Sequence, residues 1–382
     1  MPNNARLLLD VTRLVWRRWV GRHPTGVDRV CLAYLDHYAP NAQAVVQHRR
    51  YRRILDESAS AALFRLLAQP SDSFRSDLAK GVLRFGARSS CTSDDRPYLN
   101  IGHTGLNDPG FGAWVRSSGV RPIYFVHDLI PITHPEYCRA GERERHIDRM
   151  RTVLTTGAGV IGNSQATLDE LAEFGRQEGL PCPPSVAAWL GSAELPDGPS
   201  RMADRPTFVT LGTIEARKNH LLLLQVWTRL VRRLGSDAPR LLVIGQRGWE
   251  SEQAVDLLER GGLGDAVVEI GGCGDAELAD HLRSARALLF PSLVEGFGMP
   301  LTEALECGVP VIASDLPVFR EIGHGMPEFI DPLDGPTWER MILEYAKDGS
   351  PARKAQMKRL NSFRPFTWDD HFTKVDSWLA KL

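Results

Sequence analysis

The sequence predicts an α/β protein of two doubly wound domains, each built on a parallel sheet whose strand C-termini face a shared cleft. Three observations carry this reading. At 382 residues the chain is too long for one ordinary core, since domains run to ~100–200 residues. Short apolar runs alternate with longer helical patterns throughout, the signature of βα units. Between the two series lies GSAELPDGPSRMADRP (191–206), a linker rich in Pro, Gly, Ser and Asp with no periodicity.

In chain order, the strands of the first half are expected at 5–11, 42–48, 96–103, 121–128, 158–164 and 184–191. Those of the second half fall at 206–212, 240–246, 266–272, 285–292 and 310–315. Segment 56–95 has no clear period and reads as irregular loops. The tail, 366–382, places Phe372, Val375, Trp378, Leu379 and Leu382 at helical spacing, an amphipathic helix. The expected division is 1–200 and 201–365, with the tail helix packing back on the first domain. Ligands of open α/β sheets bind outside the strand C-termini, so a two-domain cleft enzyme is expected before any motif is considered.

Composition excludes several classes. Hydrophobic content of 43% and charged content of 24% belong to a globular protein, and a net charge of −1 gives no overall attraction to nucleic acid. The six cysteines are scattered without a C-x-x-C pair, which predicts reduced thiols in a cytoplasmic protein and neither a disulfide framework nor a zinc site. The N-terminus lacks the pattern of a signal peptide. Every apolar run falls far short of the ~20 residues of a membrane span, so the chain is read as soluble or at most peripheral. From Arg13 to Arg53, however, nine arginines stand against Asp28 and Asp36, interleaved with Trp16, Trp19 and Tyr51. That region reads either as a contact for an anionic membrane surface or as a solvated face around two core tryptophans.

The chemistry concentrates in two stretches. In FPSLVEGFGMPLTEALECG (290–308) a strand runs into a Gly-rich turn, and Pro300 opens a helix. Gly296 and Gly298 let backbone N–H groups approach a ligand, and the helix N-terminus behind them favours an anion. Glu295 and Glu303 bracket the turn, able to accept hydrogen bonds from hydroxyls; Glu303 is equally readable as an acid favoured near a helix N-terminus. In LGTIEARKNHLLLLQVWTRLV (211–231), Arg217 and Lys218 precede a helix with Asn219 as its N-cap. Two cations there are unfavourable for the helix dipole but suit a bound diphosphate; an exposed basic turn is the plainer reading.

Together, TLGTIEARKN, LVIGQRGW and FPSLVEGFGMPLTEALECGVPVIASD resemble the donor-binding half of retaining GT-B enzymes of glycosyltransferase family 4, including their E-x7-E signature from Glu295 to Glu303. The resemblance is tight over about 206–332 and looser before it. It implies that Glu295 contacts the donor sugar, that Glu303 holds the ribose, and that Arg217 and Lys218 neutralise the diphosphate. Gly212, Thr213, Gly296, Phe297, Gly298, Met299, Pro300 and Leu301 would line the donor, with Gly272 and Cys273 at the base. In the first half, HPTGVDRV resembles the family's glycine loop, placing Thr25 and Gly26 near donor and acceptor. FVHDLIP resembles its strand-end motif, placing His127 beside the transferred sugar with Asp128 next to it, and His103 is a further candidate in the acceptor cleft. Ser164, in IGNSQATLDEL, is sufficiently explained as a helix N-cap.

No D-x-D stands where it could hold a metal at the donor, so no metal and no cofactor are expected beyond the sugar nucleotide. GTIEARKN and EGFGMPLTEA are similar to members that use GDP-mannose, so the resemblance ranks that donor first, ahead of UDP- and dTDP-sugars, and implies a glycan or lipid-linked saccharide acceptor in polysaccharide assembly. The competing readings are a sugar-nucleotide epimerase, a pyridoxal-phosphate-dependent phosphorylase, and a non-catalytic scaffold that retains nucleotide binding. A nucleic-acid-binding role for the basic region lacks a matching fold motif.

Overall fold

The computed structural model describes residues 7–21, 25–48, 51–69, 73–85, 89–90, 95–192, 195–198 and 203–382. The chain divides into two units, the first running to Leu190 and including Trp368–Leu382, the second Gly191–Thr367.

The first unit holds an eight-stranded sheet: β1 (Leu7–Asp10), β2 (Ala42–His48), β3 (Tyr51–Leu55), β4 (Ser89–Ser90), β5 (Pro97–Asn100), β6 (Arg121–Val126), β7 (Gly159–Gly162) and β8 (Ser185–Ala187). Their order is β4-β3-β2-β1-β5-β6-β7-β8. The pairs from β2 through β1 to β8 are parallel, with Leu8 opposite Gln43 on one side and Tyr98 on the other. The edge departs from the expected all-parallel sheet, because β3 pairs antiparallel with both β2 and β4. Strand β3 reads YRRIL; its arginines and exposed Tyr51 interrupt the apolar pattern, so it does not read as a strand buried on both faces. Within segment 56–95, expected as irregular loops, the described residues include two helices. Glu57–Ala68 is a helix whose N-cap Asp56 accepts from Ala59 N, and Phe74–Phe85 is a second helix. Leu63, Phe64 and Leu67 of the former are buried, the apolar stripe that holds it on the sheet.

The core of this unit joins Leu8, Val45, Tyr98, Tyr124 and Val160 from the sheet to Met150, Val153 and Phe174 from its helices. The tail helix, Trp368–Leu379, docks through fully buried His371, whose Nδ1–H donates to Trp189 O and whose Nε2 accepts from the Tyr34 hydroxyl at 2.9 Å each.

The second unit holds β9 (Thr207–Leu211), β10 (Arg240–Ile244), β11 (Val267–Ile270), β12 (Leu288–Phe290), β13 (Val311–Ser314) and β14 (Glu328–Ile330), in the order β11-β10-β9-β12-β13-β14. All pairs are parallel. Strand β14, three residues long, is too short to have stood out by periodicity. Buried Trp227 and Trp338, on helices His220–Leu234 and Gly335–Ala346, pack against Phe208, Leu241 and Ile312.

In both sheets the chain starts near the centre, builds outward on one side and then returns to the other. The reversal lies between β1 and β5 in the first unit and between β9 and β12 in the second. Crevices at such reversals, outside the strand C-termini, are where open α/β sheets bind ligands.

Candidate active site

In the second unit the reversal point is occupied by a buried charge cluster. The loop after β9 forms a tight turn, Ala216–Lys218, and the loop after β12 carries Ser292 and Glu295. Leu293 N donates to Arg217 O at 2.8 Å, so the two loops are joined through the backbone. Lys218 Nζ lies 2.5 Å from Glu295 Oε1, Arg217 Nη1 lies 2.9 Å from Glu295 Oε2, and Ser292 Oγ donates to Oε1 at 2.8 Å. Arg217 also reaches back through Nε to Glu215 at 2.7 Å. The side chains of Glu295 and Glu215 are only 6% and 4% exposed, so these charges persist by virtue of one another. Burial pushes the Glu295 carboxyl up, but Lys218 and Arg217 overcome it and hold the group at about 2. Burial likewise raises Glu215 and lowers Lys218 against the attraction of Glu295.

The sequence named Glu295, Arg217 and Lys218, and the structure brings all three together. Glu215 and Ser292 went unnoticed, since their partners meet only in space. Asn219 differs from expectation. It precedes the helix but sits in the left-handed region (φ 56°) with no side-chain cap bond. Its amide instead donates to Pro291 O and Pro332 O, at 3.1 and 2.9 Å, tying the turn to the ends of β12 and β14.

The Gly-rich turn is shaped for close approach. Gly298 has φ 108°, and a Cβ there would stand 2.6 Å from the Phe319 ring, which excludes any side chain. Phe319 stacks on Phe290 at 4.9 Å, and Lys218 Nζ lies 5.0 Å from the Phe290 ring centroid. Met299 and Pro300 open the helix Met299–Glu306, with Leu301 and Glu303 buried within it. Glu303 is its fifth residue, past the first turn, so a simple helix-dipole role does not account for it. Gly212 ends β9 at φ 136° beside the Lys218 stem. Gly272 and Cys273 lie in the turn between β11 and the helix Asp275–Ser284, where a Cβ on Gly272 would meet nothing.

In the first unit a second polar group gathers at the ends of β1, β5 and β6. His127 follows β6, is 7% exposed, and donates from Nε2 to Ile101 O at 2.8 Å. His103 donates to Phe125 O at 2.7 Å, and its ring centroid lies 5.3 Å from that of His127. Burial drives both imidazoles towards the neutral form, His127 down to about 4. Asp128 accepts from Ile130 N at 3.1 Å. Thr25 caps the helix Gly26–Tyr38, its N–H and hydroxyl both donating to Asp28 at 2.7 Å. The same Asp28 carboxylate receives Arg13 Nε at 2.7 Å and Arg17 Nε at 2.9 Å. The expected His23 and Pro24 of this loop lie outside the described residues.

That pairing corrects the picture of an arginine-rich face. Arg13 and Arg17 serve Asp28, and Arg52, 3% exposed, is paired with Asp108. Arg22, Arg49 and Arg50 lie outside the described residues. Trp16 and Trp19, by contrast, are not core residues: they are 50% and 46% exposed. No helix among the described residues is long and apolar enough to cross a membrane, and no three His, Cys, Asp or Glu among them could hold a metal ion.

The model of the family "Glycosyl transferases group 1" matches residues 194–325, the segment that carries this charge cluster and its glycine turn. The O-antigen chain mannosyltransferase B of Escherichia coli is 33% identical over 67% of this chain and 69% of its own. The chain belongs to the group 1 glycosyltransferases. This group 1 glycosyltransferase is also 30% identical to the serotype-specific mannosyltransferase WbdA of Escherichia coli over 55% of its length, which is only 28% of WbdA. Among solved structures, Anabaena HepE in complex with UDP-glucose superposes with a TM-score of 0.68 at 14% identity, covering 98% of this chain and 99% of that one. Sucrose-phosphate synthase from Thermosynechococcus elongatus gives 0.61 at 16% identity over 98% of each chain. At such identities these likenesses speak for the GT-B fold alone.

Proposed function

We propose that the protein transfers a hexose from a nucleoside-diphosphate sugar to a glycan or lipid-linked saccharide, as a retaining enzyme of glycosyltransferase family 4 in polysaccharide assembly. The observation that carries this reading is the Glu295–Lys218–Arg217 cluster, set at the sheet reversal beside a glycine turn that no side chain can occupy. A diphosphate entering there meets two cations and the N–H groups of the turn from Gly296 to Met299, which disperse the charge that develops as the leaving group departs. Glu295, relieved of part of its cationic contact, is then available to the sugar hydroxyls. Glu303 takes the ribose, with Gly212 and Thr213 beside the phosphates, Phe297, Pro300 and Leu301 shaping the turn, and Gly272 and Cys273 at the base.

In the transfer the bond between the anomeric carbon and the diphosphate oxygen breaks, and the acceptor oxygen bonds to the same face. The acceptor proton passes to the departing phosphate. Lys218 and Arg217 supply the electrostatic stabilisation that a metal would otherwise provide, so we read the reaction as metal-independent. His127, His103, Asp128, Thr25 and Gly26 serve the sugar and acceptor. GDP-mannose is the first choice of donor, supported by the mannosyltransferases among the relatives.

The acceptor also suggests a place of work, the cytoplasmic side of a membrane. Trp16 and Trp19 stand exposed three residues apart on the helix Thr12–Val20, and Tyr51 is 67% exposed on β3; aromatic rings of this kind favour the membrane interface. A thermal-shift panel of GDP-, UDP- and dTDP-sugars tests the donor assignment. GDP-mannose should raise the melting temperature most, and a larger shift with another sugar nucleotide would reassign the donor.

A further inference from the structure

The backbone carbonyls of His127 and Asp128 are held from outside by two buried side chains to which the sequence reading gave no role. Asn163, at the end of β7 and 3% exposed, donates from Nδ2 to His127 O at 2.7 Å. His146, on the helix Glu142–Thr156 and 4% exposed, donates from Nε2 to Asp128 O at 3.1 Å. Two successive carbonyls are thus occupied by donors from two different elements, which fixes the two consecutive peptide planes on either side of Asp128. A third bond fixes the ring: a carbonyl can only accept, so the His127 proton bonded to Ile101 O resides on Nε2. Nδ1 of His127 has no hydrogen-bond partner among the described residues and keeps its lone pair.

We propose that Asn163 and His146 are positioning residues that hold the backbone carbonyls of His127 and Asp128 so that His127 Nδ1 accepts a hydrogen bond from a sugar hydroxyl. The inference rests on the glycosyltransferase reading and deepens it, because it specifies the chemistry His127 offers. An imidazole fixed in this tautomer takes a hydroxyl proton and has no N–H to give a phosphate. The ligand atom it recognises is therefore a hydroxyl of the sugar or acceptor, and the diphosphate is left to the second unit's cations. Burial explains why two side chains are devoted to two successive peptides: their carbonyls would otherwise lose their hydrogen bonds to water without replacement.

The test has two arms. Nitrogen NMR of the histidine rings in the free wild-type protein at neutral pH should find His127 and His146 neutral, each with its proton on Nε2. A proton on His127 Nδ1 overturns the proposal, whatever the activity. In the kinetic arm, Asn163→Leu and His146→Leu should each lower kcat by about a hundredfold, the cost of a small misplacement at the reacting centre, while KM for the donor stays near that of the parent. His146→Gln, which keeps an N–H donor near the same place, should recover most of the loss. Parental kcat in both leucine variants, or no recovery in His146→Gln, would overturn the assignment. A wild-type protein that transfers no sugar from any donor would instead defeat the glycosyltransferase reading, and the NMR arm would still decide the geometry.

Discussion

Lys218 Nζ is shared between the Glu295 carboxylate, at 2.5 Å, and the face of Phe290, 5.0 Å from its ring centroid. Phe290 ends β12 and Glu295 lies in the loop that follows, so one cation is clamped by both ends of the same segment. The clamp keeps Lys218 in place before any ligand arrives; under the proposed function, that preorganisation would spare the transition state the cost of arranging charge.

The first prediction separates the two glutamates. Glu295→Gln should lower turnover more than it weakens the binding of free nucleoside diphosphate, because its proposed partner is the sugar. Glu303→Gln should mainly weaken the nucleotide. Calorimetric titration of the nucleoside diphosphate, beside steady-state rates, checks this; equal effects of both changes on affinity would contradict the division of roles.

The second concerns pH. His127, His220 and His371 are buried, and burial holds each at about 4 against an ordinary value of 6.5. The unfolded chain therefore binds more protons than the folded one between those values, so stability is fully present above pH 6.5 and is lost as pH falls towards 4. His220 adds to this, since neither ring nitrogen has a hydrogen-bond partner among the described residues that would favour the charged form. Melting temperatures across this window should decline on acidification; a flat profile down to pH 4 would show that these histidines are not held neutral.

Much of the second unit's charge cluster was legible because its residues are close in sequence: Arg217 and Lys218 are adjacent, and Glu295 heads its own turn. What pairs only through space was not. Nothing local to Ser292 or Glu215 announces the carboxylate or guanidinium it meets, and Asn219 looked like a cap because its left-handed backbone is invisible in a residue name. The arginine count misled for the same reason, since Arg17 looks like a surface cation until Asp28 is found beneath it. The helices Glu57–Ala68 and Phe74–Phe85 escaped because Ser, Asp and Arg blur their apolar stripes.

The third prediction is that activity survives chelation. Treatment with EDTA should leave transfer unchanged if, as proposed, Arg217, Lys218 and backbone dipoles carry the diphosphate charge. Loss of activity that manganese or magnesium restores would reveal a metal site.

The fourth follows from the exposed tryptophans. Sedimentation with vesicles should require anionic lipid, weaken with salt, and fall on Trp16→Ser with Trp19→Ser or on Arg18→Glu. Arg17 is the wrong residue to change, since its removal would disturb Asp28. Absence of binding at low salt would remove the membrane contact and leave the transfer chemistry intact.

The most direct measurement is the kcat/KM for sugar transfer from GDP-mannose, or from whichever donor the panel selects, in the parent and in Lys218→Ala. Losing one charge-assisted contact to a developing anion in a buried site should cost about 2–4 kcal/mol of transition-state stabilisation. Turnover in Lys218→Ala close to that of the parent would contradict the assignment of this cluster to the diphosphate.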